Sequence, residues 1–570
     1  MSKRIISAIL AVFMIAAVFA GCGQAKNSGE TQAQGESASQ ATTAKVENID
    51  PYGKYEQPVT FTMGRPDIPN NKLPEGDTLE NNAYTRYIKE KLNVEVKHAW
   101  VAQNDAYAQK VALSIASSDI PDVMFINQLA SLKSLVDADL IEDMTDSYEK
   151  YGSPLLKEYY ASAGTTAQGV LKALETPTFK DRLMALPDLN VQANAFTQLW
   201  IRQDWLDKLQ LQAPKTVDEI AAVAKAFIEK DPDGNNKKDT VGLTGSADLL
   251  GVNSIHVFNS IFTAFHAYPR QWLKDSSGSV VYGSILPEVK TALQKINELY
   301  KTGVIDKEFA TRKADDTNAL IASGKAGMMF GPWWVPWWPL TDSAKNDPKA
   351  DWRAFMVPLD AEGKFISTMQ PINNGYIVVK KGYSNPEAIV KVLNLQQRVI
   401  VGQDPEVTAD KPLYPKDLGY TVDWGNWPFS LSIDYIDAIE RRAKVLKEVF
   451  DGTKNADELD AVAKGWYDLT MQEKADPKKD LNAWAHYAVT TSGAPALAFT
   501  DITKIYSEYY GTTKTMETKK ATLDKLENET FLKIILGSAP VEEFDKFVGQ
   551  WKQLGGDEIT KEVDEYVKGK

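Results

Sequence analysis

The chain has 570 residues, of which 25% are charged and 43% are hydrophobic, a balance typical of folded globular proteins. Acidic residues outnumber basic residues by 77 to 64, and the resulting formal charge of −13 repels phosphate backbones, so the composition argues against a nucleic-acid partner. The chain has one cysteine, Cys22, which excludes an internal disulfide.

Residues 1–21 have the features of an export signal. A short basic region precedes the apolar run 5–19, which is too short to span a membrane comfortably but suits the core of a signal peptide. The run leads into FAGC (19–22), which resembles the lipobox of bacterial lipoproteins. This resemblance implies that Cys22 is lipidated and that it anchors the mature protein to the outer face of the cytoplasmic membrane. A cysteine that follows a hydrophobic leader by chance is the alternative.

The segment after Cys22 is predicted to be unfolded. Residues 23–45 consist mainly of Gly, Ser, Gln, Thr and Ala, with no apolar periodicity. Such a composition cannot bury enough apolar surface to fold. We therefore predict that residues 22–58 are the lipidated cysteine and a flexible tether, which holds a folded protein that acts on molecules arriving from outside.

Strands and helices alternate in the chain from Val59 onward. VTFTM (59–63), VEVKHAW (94–100) and PDVMFI (121–126) predict strands, and the segments between them have helical spacing at 82–92 and 107–117. This alternation favours right-handed βαβ units and a parallel sheet, so we predict an α/β fold. Further elements are predicted as helices at 216–230, 287–303 and 316–324, a strand at 326–330, and helical patterns through 540–567.

Three segments resemble one known family. They are DRLMALPDLNVQANAFTQLWIRQDWLDKLQLQAPKTVDEI (181–220), IASGKAGMMFGPWW (321–334) and FDKFVGQWKQLGGDEITKEV (544–563). In this order they resemble the extracellular solute-binding proteins of carbohydrate ABC transporters, the maltose-binding type. The likeness is to a large Gram-positive lipoprotein branch related to binders of complex, alginate-type oligosaccharides. The resemblance covers most of the chain after residue 58.

The resemblance implies a two-lobed, periplasmic-binding-protein-like fold. Each lobe is expected to be a sheet flanked by helices, with the ligand held in a cleft between the lobes, in agreement with the position of ligand sites in open parallel sheets. The chain is expected to cross between lobes near 196–202, near 371–376 and, for a third time, near 495. The predicted lobes are 59–198 plus 371–495 (N-terminal lobe) and 199–370 plus 496–570 (C-terminal lobe).

The resemblance also implies a binding protein and not an enzyme. Such a protein captures an oligosaccharide and delivers it, as a monomer, to the permease of an ABC transporter. The motifs HExxH, GxSxG, GxGxxG and GxxxxGK[ST] are absent from the sequence. Because a chain with 77 acidic residues always offers some carboxylate pair, a cell-surface polysaccharide hydrolase or lyase remains an alternative. A surface scaffold or adhesion lipoprotein is a further alternative.

The loop DPDGNNKKDT (231–240) has EF-hand-like spacing. Calcium needs several oxygens that converge at ~2.4 Å, which alternate positions of such a loop supply. Asn236 and Gly242 replace the EF-hand glycine and glutamate, so a polar turn that caps a helix is the alternative. The saccharide binders of the resembled family often carry calcium in such a loop, with an acidic residue where Thr240 stands. The predicted ligands of a structural calcium are Asp231, Asp233, Asn235, the Lys237 carbonyl, Asp239 and Thr240.

The segment GPWWVPWWPL (331–340) contains four of the chain's fourteen tryptophans. It follows the predicted strand 326–330 directly, and ligands bind beyond the carboxyl ends of strands in folds of this kind. A flat ring can cover the C–H face of a sugar while hydrogen bonds read its edge. A single buried core cluster is the alternative. The candidate ligand-binding residues are Trp333, which matches the stacking tryptophan of the family's GPW step, and Trp334, Trp337 and Trp338.

Other candidate ligand-binding residues lie in loops after predicted strands or in aromatic segments of the second half. Each is weak alone, because a polar or aromatic residue in a loop is more often solvent-facing or packed than functional. These candidates are Arg65, Asp67, Asn127, Gln128, Trp427 and Trp484.

Overall fold

The computed structural model describes residues 49–569, apart from 68–72, 163, 167–168, 374, 409–410, 415–425, 430 and 432. The predicted signal peptide, Cys22 and most of the predicted tether therefore lie outside the described residues. Within the described part, no helix is both long enough and apolar enough to cross a lipid bilayer.

The strands of the described part are short. In chain order they are β1 (Val59–Pro66), β2 (Val94–Ala102), β3 (Val123–Ile126), β4 (Gly164–Thr166), β5 (Gly169–Leu171), β6 (Thr178–Phe179), β7 (Arg182–Leu183), β8 (Leu186–Pro187), β9 (Gln198–Arg202), β10 (Trp272–Lys274), β11 (Val280–Tyr282), β12 (Met328–Gly331), β13 (Trp352–Phe355), β14 (Phe365–Thr368), β15 (Tyr376–Val379) and β16 (Ile502–Ile505).

The α-helices make up much of the second half of the chain. They are α1 (Ala83–Leu92), α2 (Asn104–Ser117), α3 (Leu129–Asp137), α4 (Thr145–Tyr151), α5 (Pro154–Ala161), α6 (Gln203–Leu209), α7 (Val217–Lys230), α8 (Asn259–Ala264), α9 (Pro287–Lys301), α10 (Ala314–Ala322), α11 (Leu340–Asn346), α12 (Glu387–Ile400), α13 (Ala438–Phe450), α14 (Ala461–Ala475), α15 (Leu481–Ala488), α16 (Ala494–Ala498), α17 (Lys514–Ile535), α18 (Glu543–Trp551) and α19 (Asp557–Lys568).

The first sheet has the strand order β2-β1-β3-β15-β8. Strand β1 pairs in parallel with both β2 and β3, as the alternation of strands and helices predicts. Strand β15 returns from much later in the chain and pairs antiparallel with β3 and β8. Phe61 and Val123 are fully buried because helices cover the sheet, so the sheet forms the centre of one hydrophobic core.

The second sheet has the order β12-β9-β13, and both of its pairings are antiparallel. The predicted strand at 326–330 and the helices at 216–230, 287–303 and 316–324 are present as β12, α7, α9 and α10. The apolar stripe of α7 buries Phe227 against Trp205, whose rings meet edge to face at 5.2 Å. This sheet is the centre of a separate core that also takes in the C-terminal helices.

The chain crosses between the two sheets at three segments that lie side by side. The first, 188–197, joins β8 to β9, and the second, 369–375, joins β14 to β15. The Asn190 N–H donates to the Ile372 carbonyl at 2.7 Å, and the Gln192 N–H donates to the Ile436 carbonyl at 2.8 Å. The third crossing segment therefore lies near residue 436.

These contacts lead us to propose other positions for two of the expected crossings. The first crossing precedes the expected 196–202, because β9 (198–202) is already the central, fully buried strand of the second sheet. The third does not lie near 495, because the segment around Ser492 packs on the second sheet, where its hydroxyl accepts a hydrogen bond from the Ala354 N–H at 2.7 Å. The second crossing segment, 369–375, overlaps the expected return crossing at 371–376.

The packing also supports a revised proposal for the lobe bounds. Helix α15 shares one hydrophobic cluster with Trp200 of β9 and Ala354 of β13, and helices α13, α14 and α16 share another with Met356, which follows β13. We therefore assign residues 438–498 to the C-terminal lobe instead of the N-terminal lobe.

Residues 52–55, within the predicted tether, pack on helix α12. Tyr55 donates its hydroxyl hydrogen bond to Glu387 at 2.8 Å, and Lys391 donates to the Gly53 carbonyl at 2.9 Å. The guanidinium of Arg398 lies 4.0 Å from the centre of the Tyr52 ring. These contacts place the end of the predicted tether in the folded part of the protein.

Candidate functional site

The tryptophan segment leaves strand β12 in an irregular path. A Cβ atom added to Gly331 would lie 2.7 Å from a Val335 methyl group, so this close turn requires glycine at residue 331. Val335 and Leu340 are fully buried and anchor the segment to the core. Pro332, Pro336 and Pro339 prevent a regular helix, so the four indole rings do not share one face.

The indole N–H groups of this segment are bound by polar side chains. Trp333 donates to Asn194 Oδ1 at 2.9 Å, and Trp334 donates to Asn253 Oδ1 at 2.6 Å. Both rings are half-buried, whereas Trp338 is 46% exposed. The segment is therefore neither a fully buried core nor four open rings. Its edges are held by hydrogen bonds, and part of each ring surface is left accessible.

Trp333 and Trp337 belong to an aromatic cluster with Trp466 and His486. The centre of the Trp333 ring lies 5.6 Å from that of Trp337 and 5.9 Å from that of Trp466, and the His486 ring meets Trp337 edge to face at 4.9 Å. Arg442 lies over the Trp466 ring, 5.5 Å from its centre. Such pairs fix the orientation of the rings.

The sequence did not single out Trp466 or His486, because they come from helices more than a hundred residues away from Trp333. His486 Nδ1 lies 2.8 Å from the Asn482 carbonyl. Burial lowers the pKa of His486, so the ring stays neutral at pH 7. A neutral imidazole beside three indoles gives the cluster an apolar character with polar edges.

Three of the other predicted ligand-binding residues lie at one edge of the first sheet. Asp67 follows β1, and the exposed Asn127 and Gln128 follow β3, so their positions are neighbours at the carboxyl ends of parallel strands. Asp67 Oδ2 accepts a hydrogen bond from Gln103 at 2.7 Å. Their role in binding stays a prediction.

The remaining three predicted ligand-binding residues are buried, which corrects the expectation that they face a ligand. Trp427 is 0% exposed and packs on Tyr84 with ring centres 4.7 Å apart. Arg65 is also fully buried and donates to the Trp427 carbonyl at 2.7 Å, and burial lowers its pKa to about 10. Trp484 lies in the core beside Trp200. Their place in the sequence after a strand or in an aromatic run could not reveal this burial.

A cavity of about 350 Å³ lies beside the second crossing segment. Its volume falls within the range of small-molecule sites, roughly 300–1,000 Å³. Val252, next to the asparagine that holds Trp334, also lines the cavity, so it adjoins the tryptophan segment. Gln271 Oε1 is buried and has no hydrogen-bond partner within the described residues. No pattern in the sequence indicates this cavity, whose other lining residues include Trp272, Gln370, Tyr509, Tyr510 and Trp551.

The EF-hand-like loop gathers its acidic side chains around one amide. Asn235 Nδ2 donates to Asp233 at 2.6 Å and to Asp239 at 3.1 Å. The Asn236 N–H donates to Asp231 Oδ2, while Asp231 Oδ1 and Thr240 Oγ1 are buried without a hydrogen-bond partner in the part of the chain that the structure describes. Burial, followed by the neighbouring Asp231, raises the pKa of Asp233. Buried oxygens without donors fit a site for a hard cation.

Two lysines bring positive charge to this loop: Lys237 lies within it, and Lys325 lies beside it. The Lys325 ammonium lies 3.1 Å from Asp239 Oδ2. The Lys237 N–H donates to Asn235 Oδ1, while its carbonyl is the predicted ligand. The loop carries three aspartates, and their oxygens do not come within 4.8 Å of one another as a group.

Two sheets, each with its own core, three crossing segments and an aromatic site beside them define a two-lobed α/β ligand-binding protein. The chain belongs to the bacterial extracellular solute-binding protein family, whose model matches residues 70–397, more than half of the chain. The family predicted from the sequence is confirmed. Because these are substrate-binding proteins, the chain is not an enzyme, and the alternative of a polysaccharide hydrolase or lyase is wrong.

The chain is similar along most of its length to two curated proteins of Bacillus subtilis (strain 168). It is 23% identical over 491 residues to the polygalacturonan/rhamnogalacturonan-binding protein YtcQ, covering 84% of this chain and 87% of YtcQ. It is 24% identical over 510 residues to the lipoprotein LipO, covering 88% of this chain and 89% of LipO.

The fold is similar to that of a solved structure, the alginate-binding protein AlgQ2 without calcium ion. The TM-score is 0.56 at 15% sequence identity, and the match covers 91% of this chain and all of AlgQ2. This likeness confirms the predicted two-lobed α/β fold.

Proposed function

We propose that this protein captures an oligosaccharide between its lobes and delivers it unchanged to the permease of an ABC transporter. The observation that carries the proposal is the half-buried tryptophan segment, whose indole N–H groups are held by Asn194 and Asn253 next to a cavity at a lobe crossing. A binding protein for sugars needs flat apolar surface framed by polar groups, and this region supplies both.

The energetics agree with a stacking role. Covering on the order of 100 Å² of a sugar face is worth about 2.5 kcal/mol at ~25 cal/mol/Å². Hydrogen bonds from their indole N–H groups hold Trp333 and Trp334 in place before a ligand arrives, so little side-chain rotamer entropy is lost on binding. Similarity to YtcQ, a polygalacturonan/rhamnogalacturonan-binding protein, supports an oligosaccharide derived from one of these two polysaccharides as the ligand.

A panel of oligosaccharides tests this function. Isothermal titration of the chain from residue 46 with galacturonan, rhamnogalacturonan, alginate and neutral oligosaccharides should yield saturable binding to at least one class. Closure of the lobes around it should change tryptophan fluorescence. Binding of amino acids or peptides in place of every sugar would overturn the proposed ligand class and leave the family assignment intact.

We further propose that the loop 231–240 holds a structural calcium ion. Asp231 Oδ1 and Thr240 Oγ1 supply oxygens without donors, and rotation of the Asn235 amide would turn its oxygen toward Asp233 and Asp239. The likeness to AlgQ2, a protein whose structure was solved without its calcium ion, supports a calcium site in this fold. A bound calcium would fix the connection between α7 and the second sheet.

Chelation tests the calcium site. Calcium at ~100 times its dissociation constant adds about 2.7 kcal/mol to the free energy of unfolding. EDTA should therefore lower the melting temperature of the wild type, and Asp233→Ala should remove that response, while Asp248→Ala outside the loop should keep it. A wild-type melting curve that ignores EDTA would contradict the proposal.

The lipid anchor at Cys22 is also a proposal. It is supported by the FAGC sequence and by similarity to LipO, whose name is that of a lipoprotein. Cells that express the wild type should incorporate labelled fatty acid into the protein, and Cys22→Ser should not be labelled. Equal labelling of both would show that the lipid is attached elsewhere.

A further inference from the structure

A second group of metal-ligating side chains lies away from both the calcium loop and the tryptophan segment. It consists of His266, in the turn after helix α8, and Asp360 and Glu362, in the loop between β13 and β14. The three side chains meet because α8 packs on β14, where Thr263 Oγ1 donates to the Ile366 carbonyl at 2.7 Å. Residues almost a hundred positions apart are thereby brought together.

The spacing of the three ligand atoms fits a tetrahedral ion. His266 Nε2 lies 3.4 Å from Asp360 Oδ2 and 3.3 Å from Glu362 Oε2, and all three atoms lie within 4.8 Å of one another. Zinc binds imidazole nitrogen at ~2.0–2.1 Å and carboxylate oxygen at ~2.0–2.2 Å with tetrahedral angles, which sets neighbouring ligand atoms roughly 3.4 Å apart. The two distances from the imidazole already match that geometry.

The central carboxylate is held in place for this contact. The Asp360 side chain is 1% exposed, and its Oδ1 accepts hydrogen bonds from the Lys364 and Glu362 N–H groups at 2.8 and 3.0 Å. Its second oxygen, Oδ2, is left for the imidazole. In the described ranges, no lysine or arginine forms an ion pair with Asp360 or Glu362, so no lysine or arginine charge balances these two carboxylates.

The imidazole has the partner that a metal ligand requires. The Tyr268 hydroxyl lies 3.3 Å from His266 Nδ1. When Nε2 binds a metal, Nδ1 carries the proton, and it can donate that proton to the Tyr268 oxygen. Glu362 is 62% exposed and His266 is 49% exposed, which leaves an open side for a water as the fourth ligand.

We propose that His266, Asp360 and Glu362 form a binding site for zinc or a similar first-row divalent cation. A nitrogen ligand with two carboxylates suits zinc better than calcium, which takes six to eight oxygens. The ion would tie the turn after α8 to the loop between β13 and β14 within the C-terminal lobe. This site is independent of the proposed sugar site and of the calcium loop. A plain ion pair between a protonated His266 and the carboxylates is the competing explanation.

Zinc titration of the mature protein separates these explanations. The titration is done calorimetrically with calcium in excess, so that the 231–240 loop is filled. Wild type should take up one zinc ion, and Co²⁺ in its place should give the visible absorption of a tetrahedral complex. His266→Asn should weaken zinc binding by roughly 10- to 100-fold or more. Asparagine tolerates the left-handed backbone at this residue, where φ is 55°.

Two carboxylate variants complete the experiment. Glu362→Gln changes an exposed position and should weaken zinc binding about tenfold. It tests the site even if His266→Asn fails to fold. Glu75→Gln, an exposed carboxylate elsewhere, should bind zinc like the wild type. No zinc uptake by the wild type, or equal uptake by wild type, His266→Asn and Glu362→Gln, would overturn the proposal and leave an ion pair.

Discussion

The tryptophans of the 331–340 segment differ from Trp427 and Trp484, although sequence position made all of them candidates for ligand contact. Trp333 and Trp334 are half-buried, and each indole N–H donates to an asparagine side chain. Trp427 is 0% exposed and Trp484 is 5% exposed, among other core residues. What surrounds the ring, and not its place after a strand, therefore separates an accessible tryptophan from a core one.

The surroundings differ for a physical reason. Pro332, Pro336 and Pro339 keep the segment irregular, so its rings are not fully packed into the core. The buried Val335 and Leu340 anchor its backbone. Trp427 instead fills space between Tyr84 and the first sheet, and Trp484 projects from a helix into the cluster with Trp200. Interiors are close-packed, so a ring there carries stability.

The largest effect should come from emptying the buried position. Trp427→Ala removes a fully buried indole, and we expect the free energy of unfolding to fall by about 4 kcal/mol, since large-to-small core substitutions of aromatic residues cost ~3–5 kcal/mol. Denaturant unfolding measures this loss. The ligand dissociation constant of the folded fraction should stay near that of the wild type. A loss of affinity without a loss of stability would place Trp427 in the ligand site.

Burial also affects the protonation of a side chain, and His256 is the example. This residue is buried beneath the strand that leads to Trp333. Its ring lies 2.8 Å from Thr244 Oγ1 and 2.9 Å from Asn318 Oδ1, and burial lowers its pKa to about 4. The unfolded chain takes up a proton near pH 6.5, so this contribution to stability is complete above that pH and is lost as the pH falls toward 4.

The expected loss is about 3 kcal/mol over that pH range, since each unit of pKa difference is worth ~1.4 kcal/mol. Unfolding curves at pH 7 and pH 4.5 for wild type and His256→Gln measure it. Other groups titrate in the same window, so the relevant quantity is the difference between the two proteins, and the variant should depend less on pH. If wild type and His256→Gln lost the same free energy of unfolding between pH 7 and pH 4.5, His256 would not be the group that titrates.

An intermediate effect, on binding, is expected at Trp333. Trp333→Ala should weaken oligosaccharide binding by about 2 kcal/mol, roughly thirtyfold, because a stacking surface is lost. The loss of stability should be smaller than that of Trp427→Ala, since the Trp333 ring is half-buried. Calorimetric titration and denaturant unfolding are done on the same variant. A large loss of stability with unchanged affinity would show that this segment is part of the hydrophobic core.

The smallest effect is expected at Trp338, which is 46% exposed. Surface substitutions usually change stability by less than about 0.5 kcal/mol, so Trp338→Ala should unfold like the wild type. Its effect on affinity should also be below about threefold, which makes it the matched control for Trp333→Ala. An affinity loss as large as that of Trp333→Ala would extend the binding surface outward to the end of the segment.

Much of the local structure was predictable from sequence pattern. The strands at 59–63 and 94–100, the helix at 216–230 and the strand at 326–330 have strong periodicity or bounded apolar runs, and they form where predicted. We propose residue 436 in place of 495 for the third crossing, and the sequence could not indicate this because the helical segments near 495 have the same pattern whichever sheet they pack on. Periodicity identifies a buried face and does not name the partner that buries it.

The α/β class, the family and the aromatic segment after β12 could be inferred from the sequence alone, because these depend on local pattern and residue order. The three-dimensional structure was needed to show which tryptophans remain accessible, that Trp466 and His486 complete the aromatic cluster, and that His266 meets Asp360 and Glu362. Such sites join residues from distant parts of the chain. Their distances follow from the packing of helices on sheets, which no local pattern in the sequence encodes.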